Sequence, residues 1–229
     1  EHNPVYTIGK SGDMSNLLLN ENQLKKKEIE FFKINRGGDI TFHGPGQIMG
    51  YPIIDLDNFF TDINLYLRSL ENTIIDTLSF YDILGFTIKG ETGVWVKNQN
   101  EFKKICAFGI RASRWVTMHG FSLNGNSDLT YFDNIIPCGI KDKGVTSIKD
   151  ILNQQVDLEE LKQKNIENFA AAVRLNHGKK KFAFGELKTA VAKQPGTNDI
   201  VYEVVYVDVI DPGKPKTGET QLRAKIRTG

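Results

Sequence analysis

Residues 36–47 (RGGDITFHGPGQ) contain four glycines, a proline and a histidine, and short apolar segments flank them. An ordinary surface turn needs fewer residues of this kind. Glycine reaches positive φ without steric cost and has no Cβ, so a glycine-rich backbone can approach its surroundings closely. The proline stiffens the same loop. The stretch therefore predicts a binding site rather than a simple turn.

Apolar spacing predicts alternating strands and helices around this loop. Residues 60–84 repeat apolar side chains at helical spacing, which predicts a helix covering one face of a sheet. Residues 24–34 are ambiguous between helix and strand. Strands are predicted at 5–8, 40–42 and 48–54, and a meander of four strands at 86–89, 93–97, 104–111 and 115–123.

A domain boundary is predicted after residue 173. Asp157, with Glu160 three residues later, is typical of a helix start, and this helix is expected to end the first domain. From Arg174 on, 11 Lys or Arg face 6 Asp or Glu, whereas the first 173 residues carry 18 against 22. Residues 174–229 are thus an unassigned basic tail, β-rich around 200–210. The tail is left open as an appended domain, a strand donor or foreign sequence.

Charge and cysteine content limit the function classes. A formal net charge of +1 gives no field for nucleic acid or an anionic membrane, so we expect neither as a partner. The two cysteines are 32 positions apart, with no Cys-x-x-Cys pair and no signal peptide, which favours a reducing compartment and predicts a cytoplasmic protein. No apolar run approaches the ~20 residues of a membrane-spanning helix.

A second motif cluster, with the first, resembles the lipoyl(octanoyl) transferases, the octanoyl-[carrier protein]:protein transferases of lipoate biosynthesis. The resemblance covers roughly residues 1–173. The matching segments are 1–9 (EHNPVYTIG), 36–47 with 50–52 (GYP), 93–96 (GVWV), 104–111 (KICAFGIR), 119–124 (HGFSLN), 128–129 (DL), 137–140 (PCGI) and 146–147 (TS).

The resemblance implies an α/β fold with a mixed β-sheet packed by helices, similar to the biotin and lipoate protein ligase catalytic domain. It also implies that a strand and a helix normally precede residue 1, so the first domain (1–173) is expected to lack them. The implied donor is octanoyl-acyl carrier protein. The implied acceptors are lysines on lipoyl domains of 2-oxoacid dehydrogenases and on the glycine-cleavage H protein. No cofactor is expected, and the glycine spacing does not fit a P-loop.

Cys138 and Lys104 are the catalytic pair that the resemblance implies. A cysteine nucleophile divides acyl transfer from a thioester to an amine into thioester exchange and aminolysis. The attacking form is the thiolate, which a nearby ammonium favours. Strand alternation puts Lys103 and Lys104 on opposite faces, and Lys104 lies in the matching Lys-Ile-x-x-x-Gly frame. Cys106 is predicted to be a core residue, able to form a disulfide if it lies close to Cys138.

The acyl pocket is implied to be lined by three matching stretches, in which backbone N–H groups would hold the thioester carbonyl and its oxyanion. A metal site is not expected, because the histidine and cysteine spacings do not supply four ligands. The predicted substrate-binding residues are Arg36, Gly37, Gly38, Asp39, Ile40, Thr41, Phe42, His43, Ala107, Phe108, Gly109, His119, Gly120 and Phe121.

Other interpretations stay open. Cys138 could be a buried structural residue with Lys104 facing solvent, since a free cysteine packs as a small apolar residue. The chain could also be an ATP-dependent lipoate or biotin ligase of the same fold, which needs no cysteine, or an inactive fragment of the transferase. Arg36 could instead pair internally or orient its loop. Trp95 and Trp115 are predicted to be a core and a surface packing residue.

Overall fold

The computed structural model describes residues 1–98, 101–137, 143–175, 183–193 and 200–210. It divides into two units, Glu1–Asn176 and His177–Gly229. No helix in the described ranges is long and apolar enough to cross a membrane.

The first unit opens with a three-stranded mixed sheet. Its strands are β1 (Val5–Ile8), β2 (Glu30–Lys33) and β3 (Ile40–His43). β1 lies in the middle, parallel to β2 and antiparallel to β3. The short helix α1 (Glu21–Lys26) precedes β2, and a capping box between Asn20 and Gln23 fixes its start. Strand β3 ends at His43, in the middle of the glycine-rich stretch 36–47.

A five-stranded antiparallel sheet forms the larger part of the unit. Its strands are β4 (Gln47–Gly50), β5 (Gly85–Phe86), β6 (Val94–Asn98), β7 (Glu101–Ser113) and β8 (Val116–Asn124), in the spatial order β4-β8-β7-β6-β5. Strands β5 to β8 follow one another as neighbours, so the order of the predicted meander is confirmed, whereas its first strand, predicted at 86–89, is only Gly85–Phe86. The mixed pairing expected for the fold occurs in the smaller sheet.

Three further helices accompany this sheet: α2 (Ile63–Ser79), α3 (Ile148–Leu152) and α4 (Leu158–Leu175). The main core joins apolar residues of α2, β6, β7, β8, α3 and α4, among them Ile74, Leu78, Ile105 and Leu123. A second core lies between the small sheet and a 3-10 helix at Leu129–Asn134, and stacks Phe42 on Tyr131.

Several element bounds differ from the sequence predictions. The helix predicted at 60–84 begins only after Asp62, whose carboxylate caps it, and ends at Ser79 because the chain turns there, with Asp82 at φ 56°. The strand predicted at 48–54 ends at Gly50. The ambiguous 24–34 region contains the end of α1 and the whole of β2. Asp157 caps α4 by accepting from Glu159 and Glu160, as predicted.

The second unit contains an antiparallel pair of strands, β9 (Ala183–Lys193) and β10 (Ile200–Ile210). The β-branched run predicted at 200–210 is the whole of β10. The boundary predicted after residue 173 lies within α4, two residues before that helix ends, and the origin of the tail stays open.

Candidate active site

Arg36 ties the glycine-rich loop to β1. Its guanidinium is buried and donates to the Thr7 carbonyl at 2.7 Å, to the Thr7 hydroxyl at 3.0 Å and to the Gly37 carbonyl at 2.9 Å. Gly9 directly follows β1, and an added Cβ there would collide with Gly38 O, so no other residue fits this position without a shift of the loop. These internal hydrogen bonds orient the loop, one of the two roles left open for Arg36.

The loop lies against β7, so the two motif clusters meet. The Gly37 N–H donates to the Ile110 carbonyl at 3.3 Å. A Cβ at Gly109 would come within 2.7 Å of Arg36 Cδ and 3.1 Å of Gly37 O. Gly109 thus permits a close approach between strand and loop that any side chain would prevent. The structure therefore brings Arg36, Gly37 and Gly109 together as the sequence motifs suggest.

Alternation along β7 and β8 sorts the other predicted lining residues onto two faces. Phe108 pairs with Phe121, and both rings pack with the main core. Ala107 pairs with Ser122 and Gly109 pairs with Gly120, so these small residues occupy the opposite face. Phe108 and Phe121 can therefore offer backbone groups but not side chains to a ligand on the Gly109 face.

The same alternation divides β3. Ile40 and Phe42 are buried in the second core, whereas Thr41 and His43 lie on the other face with Thr7. Asp39 also has a structural task, because its carboxylate accepts from the Asp13 and Ile40 N–H groups at 3.1 and 2.7 Å.

His43 is buried and bonded through both ring nitrogens. Nε2 lies 3.3 Å from the Thr7 hydroxyl and Nδ1 lies 3.4 Å from Gln47 Oε1. Burial, reinforced by the nearby Arg36 charge, lowers the pKa of His43 to about 3, so the ring is neutral at physiological pH.

His119 has a different environment. It adopts a left-handed φ of 61°, which is unusual for a residue other than glycine. Burial and the charges of Arg36 and Arg111 lower its pKa. It is half-buried and pairs with Ile110, whose carbonyl accepts the N–H of Gly37 in the glycine-rich loop.

Lys104 is buried, with 8% of its surface exposed, whereas the Lys103 side chain is 30% exposed and ion-pairs with Glu101 at 3.6 Å. The Lys104 ammonium lies 4.7 Å from the centre of the Trp95 ring. An added Cβ at Gly93, which has φ 135°, would lie 3.0 Å from Lys104 Cε. A solvent-facing Lys104 is therefore excluded, and Gly93 leaves the room that its side chain fills.

A β-bulge sets the direction of this lysine. Strand β6 pairs Val94 with Cys106 but Trp95 with Lys104, so Ile105 is an extra residue on β7. Bulges re-aim side chains, and here three consecutive residues from Lys104 to Cys106 are buried. Cys106 is fully buried, as predicted, and burial raises the pKa of its thiol.

Cys138 and the 139–142 segment lie outside the described residues. The chain on either side is anchored. Upstream, Ile136 donates its N–H to Asn16 O at 2.8 Å. Downstream, Gly144 O accepts the Lys104 N–H at 2.9 Å and the Thr146 N–H donates to Lys104 O at 3.0 Å. Gly144 and Thr146, which follow that segment, are thus hydrogen-bonded to Lys104 itself.

Glu71 was missed by the sequence reasoning. It is fully buried on α2, accepts the Gly93 N–H at 3.0 Å and pairs with Arg68 at 2.6 Å. Burial raises its pKa, and the charges of Arg68 and Lys104 act against that rise. A sequence signal existed, because Glu71 lies four residues after Leu67 and three before Ile74 on the apolar face of the helix.

His2 and Tyr51 were also missed as neighbours of the site. The Tyr51 hydroxyl lies 2.6 Å from His2 Nε2, and the His2 ring lies 6.0 Å from the His43 ring. Burial lowers the pKa of His2 and raises that of Tyr51. Both belong to the matching motifs, but nothing in their spacing indicated that residues 49 positions apart would meet.

Comparison with known proteins agrees with this arrangement. The Lipoyl protein ligase A/B catalytic domain family matches residues 1–170. The chain belongs to that family. The octanoyltransferase of Flavobacterium psychrophilum is 64% identical over 171 residues, which cover 74% of each chain. The octanoyltransferase of Christiangramia forsetii is 62% identical over 171 residues, 74% of this chain and 73% of its own. These similarities identify an enzyme of the octanoyltransferase type, an acyltransferase.

Solved structures confirm the fold. The bipartite lipoate protein ligase of Thermoplasma acidophilum has a TM-score of 0.59 and 16% identity, and the match covers 75% of this chain and 68% of that one. At this identity the likeness concerns the fold alone, and the expected α/β lipoate ligase architecture is confirmed.

Proposed function

We propose that residues 1–173 transfer an octanoyl group from octanoyl-acyl carrier protein to a lysine of a lipoyl domain, through a thioester on Cys138. One observation carries the proposal: the Lys104 side chain is buried, and the Lys104 backbone is hydrogen-bonded to Gly144 and Thr146, six and eight positions after Cys138. The names of the 62–64% identical relatives support octanoyl transfer as the reaction. The acceptors we expect are lipoyl domains of 2-oxoacid dehydrogenases and the glycine-cleavage H protein.

In the first half-reaction, the Cys138 thiolate attacks the thioester carbonyl carbon, and the carrier sulfur leaves. The Lys104 ammonium stabilises the attacking thiolate and then gives its proton to the departing carrier thiolate. The thioester is exchanged without change in oxidation state. Donors around the glycine-rich loop would stabilise the oxyanion that forms on the carbonyl oxygen.

In the second half-reaction, the acceptor lysine amine attacks the Cys138 thioester. Neutral Lys104 takes the proton that the amine loses, and Cys138 leaves as the thiolate. The site thus returns to its starting protonation state after one amide has formed. Glu71 lies within the electrostatic influence of Lys104, whose charge acts against the rise that burial causes in the pKa of Glu71.

The Gly109 face of the β7–β8 pair suits an acyl chain. Its residues are small, and the loop residues Arg36 and Gly37 lie against Gly109. Small residues beside backbone N–H groups suit a substrate that combines a hydrocarbon chain with one polar carbonyl.

Transfer assays with substituted proteins test the catalytic pair. With octanoyl-acyl carrier protein and an isolated lipoyl domain, C138S is expected to abolish amide formation and K104A to lower it by about 100-fold or more. K103A is the matched control, since Lys103 is the neighbouring lysine on the exposed face. Undiminished transfer by C138S or K104A would contradict the proposal. A requirement for ATP and free octanoate would instead favour the ligase alternative.

A further inference from the structure

A chain of buried hydrogen bonds runs from the glycine-rich loop to the residues beside Lys104. Arg36 donates to the Thr7 hydroxyl, which lies 3.3 Å from His43 Nε2. His43 Nδ1 lies 3.4 Å from Gln47 Oε1, and Gln47 Nε2 lies 2.9 Å from Asn124 Oδ1. We call these five side chains the polar relay.

The relay ends on the backbone of Thr146, because Asn124 Nδ2 donates to the Thr146 carbonyl at 2.9 Å. The Thr146 N–H donates in turn to Lys104 O. The members from Arg36 to Asn124 each have less than 10% of their surface exposed, so water does not compete for these bonds.

Backbone carbonyls fix the orientation of both amides. A carbonyl oxygen can only accept, so the group of Gln47 that faces Phe42 O at 3.2 Å must be its NH2. The group of Asn124 that faces Thr146 O must likewise be its NH2. Gln47 therefore presents its oxygen to His43, and Asn124 presents its oxygen to Gln47.

These orientations determine the tautomer of His43. Gln47 Oε1 accepts, so His43 Nδ1 must carry the proton, and Nε2 is left as an acceptor. The Thr7 hydroxyl then donates to Nε2, which is consistent with Arg36 donating to the oxygen of that hydroxyl. Every bond in the relay points the same way, from Arg36 towards Thr146.

The position of Asn124 explains why the relay reaches Lys104. Strand β8 ends at Asn124, and its pairing with β7 stops at the Leu123 and Cys106 pair. Beyond that point, Val145 forms a parallel bridge to Lys104. Asn124 therefore lies at the point where the segment paired with β7 changes from β8 to the residues around Val145. Its side-chain amide links β8 to that second segment.

We propose that Gln47 and Asn124 are positioning residues. They hold residues 144–146, which come after Cys138 in the chain, against Lys104, and they couple these residues to the glycine-rich loop through a single tautomer of His43. This inference rests on the proposed function, because Lys104 and Cys138 are assigned there. His43 is then a fixed hydrogen-bonding link and not a general base, since both its nitrogens are committed within the relay.

A spectroscopic measurement on the unsubstituted protein tests the relay without reference to activity. Long-range 1H–15N spectra of the full chain are expected to show His43 with a protonated Nδ1 and an unprotonated Nε2, unchanged between pH 8 and about pH 5. A proton on Nε2, or a His43 that titrates in that range, would overturn the proposal.

Asn124→Asp tests the positioning role. The substitution keeps the acceptor for Gln47 but sets a carboxylate oxygen against Thr146 O, so only the last bond of the relay is lost. Asn126→Asp is the matched control: Asn126 Nδ2 makes an equivalent bond of 2.8 Å to Val156 O, outside the relay.

The readouts are kcat for octanoyl transfer and the pH profile of Cys138 alkylation. N124D is expected to lower kcat about tenfold or more and to move the alkylation profile upwards by about 0.5 pH unit or more, because residues 144–146 are no longer held against Lys104. N126D is expected to change neither. Glu71 and Lys143, the charged side chains that face Lys104 and its Trp95 neighbour, are the same in both variants.

Two outcomes distinguish failure of the proposed function from failure of the positioning role. An unsubstituted protein that transfers no octanoyl group but shows the expected His43 tautomer would refute the proposed function alone. An active protein in which N124D and N126D have equal kcat and equal alkylation profiles would refute the positioning role.

Discussion

The neutral, buried His43 makes a testable contribution to acid sensitivity. Its pKa is about 3 in the folded protein, against about 6.5 in an unfolded chain. As the pH falls below the unfolded value, the unfolded chain binds a proton at His43 that the folded protein does not. The free energy of unfolding therefore falls with decreasing pH, from about 6.5 down towards the folded pKa.

The magnitude follows from the two pKa values. Between pH 7.5 and pH 5, proton uptake by the unfolded chain at this one residue lowers the free energy of unfolding by about 2 kcal/mol. The figure depends little on the folded pKa as long as that pKa stays well below 5. His43→Gln keeps a donor and an acceptor at the position but removes the titrating group.

Urea unfolding at the two pH values gives the difference directly. Trp95 and Trp115 are the two tryptophans of the chain, and both lie in the first unit, so their fluorescence reports on that unit. The unsubstituted protein is expected to lose about 2 kcal/mol more than H43Q on acidification. His2 and His119 are present in both proteins, so their titration largely cancels. Equal losses would refute the burial argument for His43.

Three further predictions concern close packing, a buried hydrogen bond and the accessibility of the two cysteines. Gly120→Ala should lower the free energy of unfolding by at least about 2 kcal/mol, because the new Cβ would collide with Gly50 O. Gly90→Ala is the control: its Cβ meets no atom but its φ is positive, so it should cost about 1 kcal/mol. Urea unfolding of the two variants gives the comparison. Glu71→Ala should lower the free energy of unfolding by about 1–3 kcal/mol more than Glu71→Gln, which still accepts the Gly93 N–H; equal values would contradict that bond. A thiol reagent should modify Cys138 but not buried Cys106 in the native protein, as peptide mapping would show.

The sequence predicted local elements best where a single period or cap decides them. β1 and the cap at Asp157 were predicted correctly, and so was the order of the meander. The bounds of α2 were too wide, because Phe60 and Leu84 continue the apolar spacing although Asp62 and the turn after Ser79 end the helix. The split into two sheets could not be predicted, since it depends on which strands pair.

Prediction of the site was limited by contacts between distant residues. The motifs correctly predicted that Arg36 and Gly109 lie close together. They did not predict that the side chains of Phe108 and Phe121 lie on the face opposite to Gly109. That separation follows from strand register. Glu71 and the polar relay depend on buried hydrogen bonds across sheets and helices, and these have no counterpart in local spacing.

Isolation of the acyl-enzyme is the decisive test of a thioester on Cys138. The full chain is mixed with octanoyl-acyl carrier protein, quenched in acid and mapped by mass spectrometry, and a second portion receives a lipoyl domain before quenching. One octanoyl group is expected on the peptide that contains Cys138, and it should pass to a lipoyl-domain lysine at least as fast as steady-state turnover. Octanoylation of the lipoyl domain with no adduct on Cys138, or an adduct that does not pass on, would contradict it.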